Sequence, residues 1–222
     1  MSSAQQMMLA QGKAKAQITF QSAGAFSTAV AAGQLVVAAA SGITFHDLLL
    51  CHVAVRHASA ASITTPSGWT LLDSRTVGAT TRLSAIYGKI AIGTEGAQTF
   101  VETDDTYAYG RMYRFSRGNT FESATGLIAT SSAAAISCAD VTSTQTLSLA
   151  VNCMFAEVNT TLADALLESG GDYTQPVAAA SGAPYVFGIQ TSLIGAGSIT
   201  GGTATLGVAG SNRFTHGVVL NP

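Results

Sequence analysis

The chain has 222 residues, 10 Lys and Arg against 12 Asp and Glu, a formal net charge of -2 and a charged fraction of 10%. That fraction is under half of the roughly 25% usual for soluble domains, which excludes a disordered polyelectrolyte and a coiled coil laced with ion pairs. The basic residues are scattered, so no surface built to neutralise nucleic-acid phosphates is expected. The uncharged runs Ala16 to Phe45 and Tyr173 to Asn212 are broken every few residues by Gly, Ser, Thr or Gln. Neither supplies the ~20 consecutive apolar residues of a membrane helix.

Residues 1–17 read as an N-terminal arm. No basic n-region feeds an apolar run there, so a secretory signal is not expected. Ser2 to Gln11 has helix-favouring Ala, Gln, Met and Leu. The apolar Met7, Met8 and Leu9, followed by Lys13 and Lys15 with no acidic residue among them, suit contact with another subunit or a shell.

From Ile18 onward strands dominate. Leu48 to Val55 is a continuous apolar run interrupted by His52, and Leu83 to Ile90 and Tyr109 to Phe115 alternate with period two. Between such runs stand Gly, Ser, Asp and Asn clusters, for example Gly93-Thr94-Glu95-Gly96 and Ser169-Gly170-Gly171-Asp172, which serve tight turns. Thr161 to Glu168 is the only short helical candidate after the arm. Thr125 to Thr142, alanine-rich and uncharged up to Asp140, suits an edge strand or a packed crossover.

An internal echo runs through these elements. Leu48 to Val55 is answered by Leu147 to Phe155, Leu71-Leu72-Asp73-Ser74 by Leu166-Leu167-Glu168-Ser169, and Leu83 to Tyr87 by Tyr185 to Ile189. Tyr109 to Phe115 and Arg213 to Leu220 close the two halves. The expected fold is all-β: a two-sheet antiparallel sandwich over residues 18–222, jelly-roll-like, with one core between two pseudo-repeated halves at about 43–118 and 142–222.

Candidate functional residues divide by chemistry. Trp69, beside Pro66 and Gly68, could stack on a sugar ring or plug one end of the sandwich. Tyr107 and Tyr109, in a series with Tyr113 and Phe115, could offer a glycan or partner surface, or simply a half-buried sheet face. The carboxylates of Glu102, Asp104 and Asp105 could hold a hard cation, act as a glycosidase pair, or belong to ordinary turn chemistry. His46, His52 and His57 lie close in sequence. On one extended strand, however, His46 and His52 face one way and His57 the other, which favours surface or rim positions over a metal site. The widely spaced Cys51, Cys138 and Cys153 read as reduced, packed thiols. No nucleophile elbow, Walker loop, dinucleotide fingerprint or zinc-protease helix occurs. No cofactor is expected.

Asp47-Leu48-Leu49-Leu50, Thr65-Pro66-Ser67-Gly68-Trp69-Thr70-Leu71-Leu72, Arg82 to Lys89 and Gly110 to Phe115 together resemble a β-sandwich module of bacteriophage virion proteins and some bacterial surface proteins. That module reads GDLLV, TPPAGWTLL, LAVYYRVA and AAYRGV, followed by a weaker second copy. The chain departs from it at His46, in place of Gly, and at Tyr113-Arg114-Phe115. The resemblance implies a non-enzymatic virion protein, assembled in the host cytoplasm. A capsid decoration or cement protein is the first expectation, with the major capsid protein or other virion proteins as partners and a homo-oligomer, a trimer by analogy, as its state. The alternative is a receptor- or glycan-binding module of a tail or collar fibre, directed at a host surface glycan. No nucleic-acid or membrane partner is expected.

Overall fold

The computed structural model describes residues 17–29, 33–56, 61–78, 82–102, 107–116, 118–129, 133–158, 166–169, 174–180, 185–194, 196–201 and 203–222. Met7, Met8, Leu9, Lys13 and Lys15, the helical expectation over Ser2 to Gln11, and Asp104 and Asp105 lie outside them, as does His57.

Among the described residues the protein is all-β, built from antiparallel sheets packed as a sandwich. The first half contains β1 (Phe20–Ala23), β2 (Ser27–Ala29), β3 (Gln34–Val37), β4 (Leu48–Arg56), β5 (Ile63–Thr64), β6 (Thr70–Val77), β7 (Arg82–Ile90), β8 (Gln98–Glu102) and β9 (Tyr107–Phe115). The second contains β10 (Thr120–Ala129), β11 (Ala133–Ser137), β12 (Val141–Ser143), β13 (Ser148–Val158), β14 (Leu166–Ser169), β15 (Thr174–Ala180), β16 (Tyr185–Ile194), β17 (Gly197–Ile199) and β18 (Thr203–Asn221). Strand β14 therefore takes in Leu166 to Glu168, the end of the short helix expected over Thr161 to Glu168, and it pairs with residues 203–206 of β18. Pairing with β18 overrides the local spacing of Leu166 and Leu167; Leu162 lies outside the described residues.

One main sheet has the order β1-β9-β4-β7-β6, with β2 also on β9, and the other has β10-β18-β13-β16-β15, with β11 and β14 also on β18. Two smaller sheets complete the set, β3-β8-β5 and β12-β17. The expected antiparallel sandwich is present, and it has apolar layers on both sides of its first main sheet, because β4 is buried on both faces. Its odd positions Leu49, Cys51, Val53 and Val55 join Leu35, Val37 and Phe100 in a core beneath the β3-β8-β5 sheet. Its even positions Leu48 and Leu50 meet Leu149, Val151, Val218 and Leu220 of the second main sheet. Alternation along a strand directs successive side chains to opposite faces, so a run apolar at every position belongs in an interior layer. On the far side, Ala150, Ile194 and Val219 pack under Val141 of β12.

Two glycines permit the close layering. A Cβ at Gly110 would lie 2.6 Å from Val37 Cγ2 and 2.9 Å from Leu35 Cδ2, and one at Gly88 would lie 2.9 Å from Leu72 Cδ1 and from the ring of Phe121. Cys51, Cys138 and Cys153 are buried free thiols.

Candidate functional site

The two main sheets meet in rows that can be followed along β4. The first rows are apolar, with Leu48, Leu50, Ile86, Tyr113 and Phe115 against Leu149, Val151, Val218 and Leu220. The row at His52 is polar. His52 of β4 and Ser84 of β7 share it with His216 of β18, and all three side chains are 0% exposed. His52 Nε2 is 2.8 Å from Ser84 Oγ, which is 2.9 Å from His216 Nε2. His216 Nδ1 is in turn 2.7 Å from Asp73 Oδ2 on β6.

The direction of the bonds follows from Asp73. A carboxylate only accepts, so His216 donates from Nδ1 and, as a neutral ring, accepts at Nε2. The Ser84 hydroxyl then donates to His216, and Ser84 Oγ accepts from His52 Nε2. Arg75 Nε donates to the same Asp73 oxygen at 3.1 Å. Burial opposes charge on Asp73, but the bonds from His216 and Arg75 outweigh it and hold the carboxyl below its ordinary value. Burial pushes His52 well below its ordinary pKa, with His216 adding to the effect. Burial likewise lowers His216, although Asp73 pulls the other way.

Ser84, His216 and Asp73 have the donor order of a nucleophilic triad, in which a serine proton moves to a histidine held by a carboxylate. Here the hydroxyl is sealed. Ser84 has no exposure, and β10 closes over the acid end, where a Cβ on Gly126 would collide with Asp73 Oδ2 and lie 2.7 Å from Arg75 Nε. No substrate carbonyl reaches this serine. The arrangement links two sheets; it presents no chemistry to solvent.

Past this row the interface becomes aromatic, with Ala54 and Tyr109 against Phe155 and Phe214, and then ionic. Glu157 of β13 accepts from Arg82 Nε at 2.8 Å and Arg56 Nη1 at 3.3 Å, and also from Asn212 Nδ2.

The residues singled out in the sequence fall elsewhere. Trp69 is 6% exposed, leans on Phe100 and donates its indole N–H to Gln98 Oε1 at 3.0 Å. It therefore offers no open ring face to a sugar, and its place is that of the plug. Tyr109 is buried, and Tyr107 is half-buried and stacked on it with centroids 6.3 Å apart. The pair closes an end of the interface rather than forming an open glycan platform. Glu102 is buried at the end of β8, where its backbone N–H donates to Gly33. Among the described residues no group of three or more His, Cys, Asp or Glu is placed to hold a metal ion. His46 does not share a strand with His52: it lies in the turn before β4 with φ 67, ring edge against Phe45. His52 is interior, not at a surface or rim, because the second main sheet covers it.

At the end where β4 and β13 begin, apolar side chains do face outward. Phe45 is 66% exposed and Ile92 65%, with Ile90 and Leu147 also exposed. The loops carrying Phe45 and Ile92 are tied by His46 N–H to Ala91 C=O at 2.9 Å and Ala91 N–H to Asp47 C=O at 2.8 Å. Arg114 braces the first loop, donating from Nε to Asp47 at 2.6 Å and from Nη1 to the Ser41 carbonyl at 3.1 Å. No known family, curated protein or solved structure matches the chain.

Proposed function

We propose that the protein is a non-enzymatic structural component of a bacteriophage particle, a capsid decoration or cement protein that works as a homo-oligomer, most simply a trimer. The observation that carries this reading is the braced apolar end. Phe45 and Ile92 are held outward on two hydrogen-bonded loops, a costly placement for large apolar side chains unless another surface covers them. The described chain starts at the same end. Ile18 packs with Leu48 and Phe115, and Thr19 hydrogen-bonds to Ser116 at 3.0 Å; Met7, Met8, Leu9, Lys13 and Lys15, which precede it in sequence, are the proposed contacts to the shell or a neighbouring subunit.

Two further features support a structural role. The triad-like serine is closed to substrate. The order β1-β9-β4-β7 over β3-β8-β5 follows jelly-roll succession, and β10-β18-β13-β16 with β12-β17 follows it again. This is the arrangement to be expected of two pseudo-repeats, near 43–118 and 142–222.

The test is sedimentation of the purified protein with shells assembled from the major capsid protein encoded in the same genome. Co-sedimentation that is lost in the Phe45→Ser, Ile92→Ser double variant, without loss of thermal stability, is expected. Unchanged binding by that variant removes the apolar end from the mechanism. Failure to bind shells, combined with retention on host surface polysaccharide, replaces decoration with the glycan-binding alternative.

A further inference from the structure

The chain of hydrogen bonds between the main sheets has a polarity that a single added proton reverses. His216 is its only member from the second main sheet; Asp73, Ser84 and His52 all belong to the first. While His216 is neutral, its Nε2 accepts the Ser84 proton. Once protonated there, it points an N–H at Ser84 Oγ, which already accepts from His52 Nε2. The serine proton then loses its acceptor unless the His52 proton moves from Nε2 to Nδ1, so that Nε2 accepts from Ser84; either way a positive charge is left in the buried row. The two imidazole rings have centroids 5.2 Å apart, so a charge on either opposes a charge on the other.

The charged groups among the described residues do not offset the added charge. On β6 the charged groups are Asp73 and Arg75, which already pair with each other at 3.0 Å. On β9, Arg111 is the cross-strand partner of His52, and its Nε donates to the Gly24 carbonyl at 3.0 Å. On β13, the partner of His216 is Cys153, a thiol that burial pushes far above its ordinary pKa and keeps neutral. β7 contributes the Ser84 hydroxyl, and β10 contributes Gly126, which has no side chain. Among the described residues Asp73, already shared with Arg75, is thus the one carboxylate bonded to this chain of side chains.

We propose that His52, Ser84, His216 and Asp73 form an acid-sensitive latch, closed at neutral pH and released on acidification, that controls separation of the two main sheets. The sign follows from linkage. Both histidines have folded-state pKa values lowered from 6.5, so above 6.5 neither open nor closed protein binds the extra protons and the latch is at full strength. Below 6.5 the open form binds them first, and opening gains with each further fall in pH until the folded-state values are reached. Asp73, held below its ordinary value, stays charged through the start of that window.

The cysteines report the opening. Cys153 lies in the interface core with Leu50 and Val218, whereas Cys51 lies in the core under β3-β8-β5. Pulse labelling of the full chain with 4,4′-dithiodipyridine, which reacts with thiols in acid, is mapped by mass spectrometry between pH 7.5 and 5. The Cys153 to Cys51 labelling ratio is expected to rise below pH 6.5, by up to about 100-fold per pH unit if both histidines titrate and at most about 10-fold per unit in His216→Gln. Protection of Cys153 down to pH 5, simultaneous labelling of Cys51 and Cys153, or a full wild-type slope in His216→Gln would each overturn the latch. Should His216→Gln fail to fold, the wild-type ratio decides alone.

Discussion

The two main sheets share a strand order and differ in what covers them. The outer face of the first lies under three strands and a core that includes Trp69, Tyr87, Phe100 and Met112. The outer face of the second lies in part under β12 and β17, three residues each, whose contact with it runs through Val141, Ala150, Ile194 and Val219. Asn152, on that face of β13, is fully buried, and its amide oxygen and nitrogen have no hydrogen-bond partner among the described residues. Topology alone therefore does not set how firmly a half is held. Aromatic side chains bury roughly 150–250 Å² each, so the cover of the first sheet contributes far more apolar burial than the small aliphatic residues opposite β12.

The contrast breaks most visibly in the outer cores. Phe100→Ala removes a fully buried ring that touches Tyr87 and Trp69 at centroid distances of 5.0 and 6.2 Å, and is expected to cost about 3–5 kcal/mol. Val141→Ala, the matching truncation on β12, is expected to cost about 1–2 kcal/mol at ~0.8 kcal/mol per buried methylene. Urea midpoints of the two variants measure the difference, and equal losses would mean that the covers contribute alike.

The inner faces meet on equal terms, and Glu157 sharpens that side of the comparison. It is the carboxylate of the second sheet on which Arg56 and Arg82, paired neighbours in the first, both converge. Glu157→Gln leaves two guanidinium groups side by side with a neutral acceptor. Since Arg56 has 45% of its side chain exposed and Arg82 27%, solvent screens much of the effect, and a loss of about 1–2 kcal/mol is expected. The loss should shrink as salt is raised, because screening weakens repulsion between the two arginines. A loss independent of salt would point to packing instead.

How far the sequence made this legible depends on the range of each signal. Period-two alternation located β7 and β9, and the apolar run at Leu48 to Val55 located β4, although its burial on both faces, which the near-absence of polar positions reflects, was not read from it. The echo of that run at Leu147 to Phe155 marked the second central strand, β13. The latch was not legible: Ser84 and His216 are separated by 132 positions and Asp73 and His216 by 143, and no local pattern joins them. One clue stood in plain view, His52 inside an otherwise apolar run. A lone polar residue in such a run needs a buried partner, yet nearness in sequence drew attention to His46 and His57. Trp69 was equally open to two readings, since the Pro66 to Trp69 turn fixes the chain path without fixing what lies above the indole. The partner, Gln98, comes from the start of β8, 29 residues away.

The smallest expected effect concerns Asn152, and it runs in both directions. A buried amide with no partner forfeits its hydration without replacement, so Asn152→Val, β-branched and suited to a strand interior, is expected to stabilise the protein by about 1 kcal/mol. The reciprocal change, Cys51→Asn, places the same amide on the outer face of the first sheet, among Leu49, Val53 and Phe100, and is expected to cost about 1–3 kcal/mol. If Asn152→Val destabilises instead, the amide is bonded to a group outside the described residues, and the second cover is better built than the strands β12 and β17 imply. If both changes behave as expected, the two outer faces differ because one excludes polar groups and the other tolerates one. The second half is then held mainly through its inner face, by the rows of side chains that the latch interrupts.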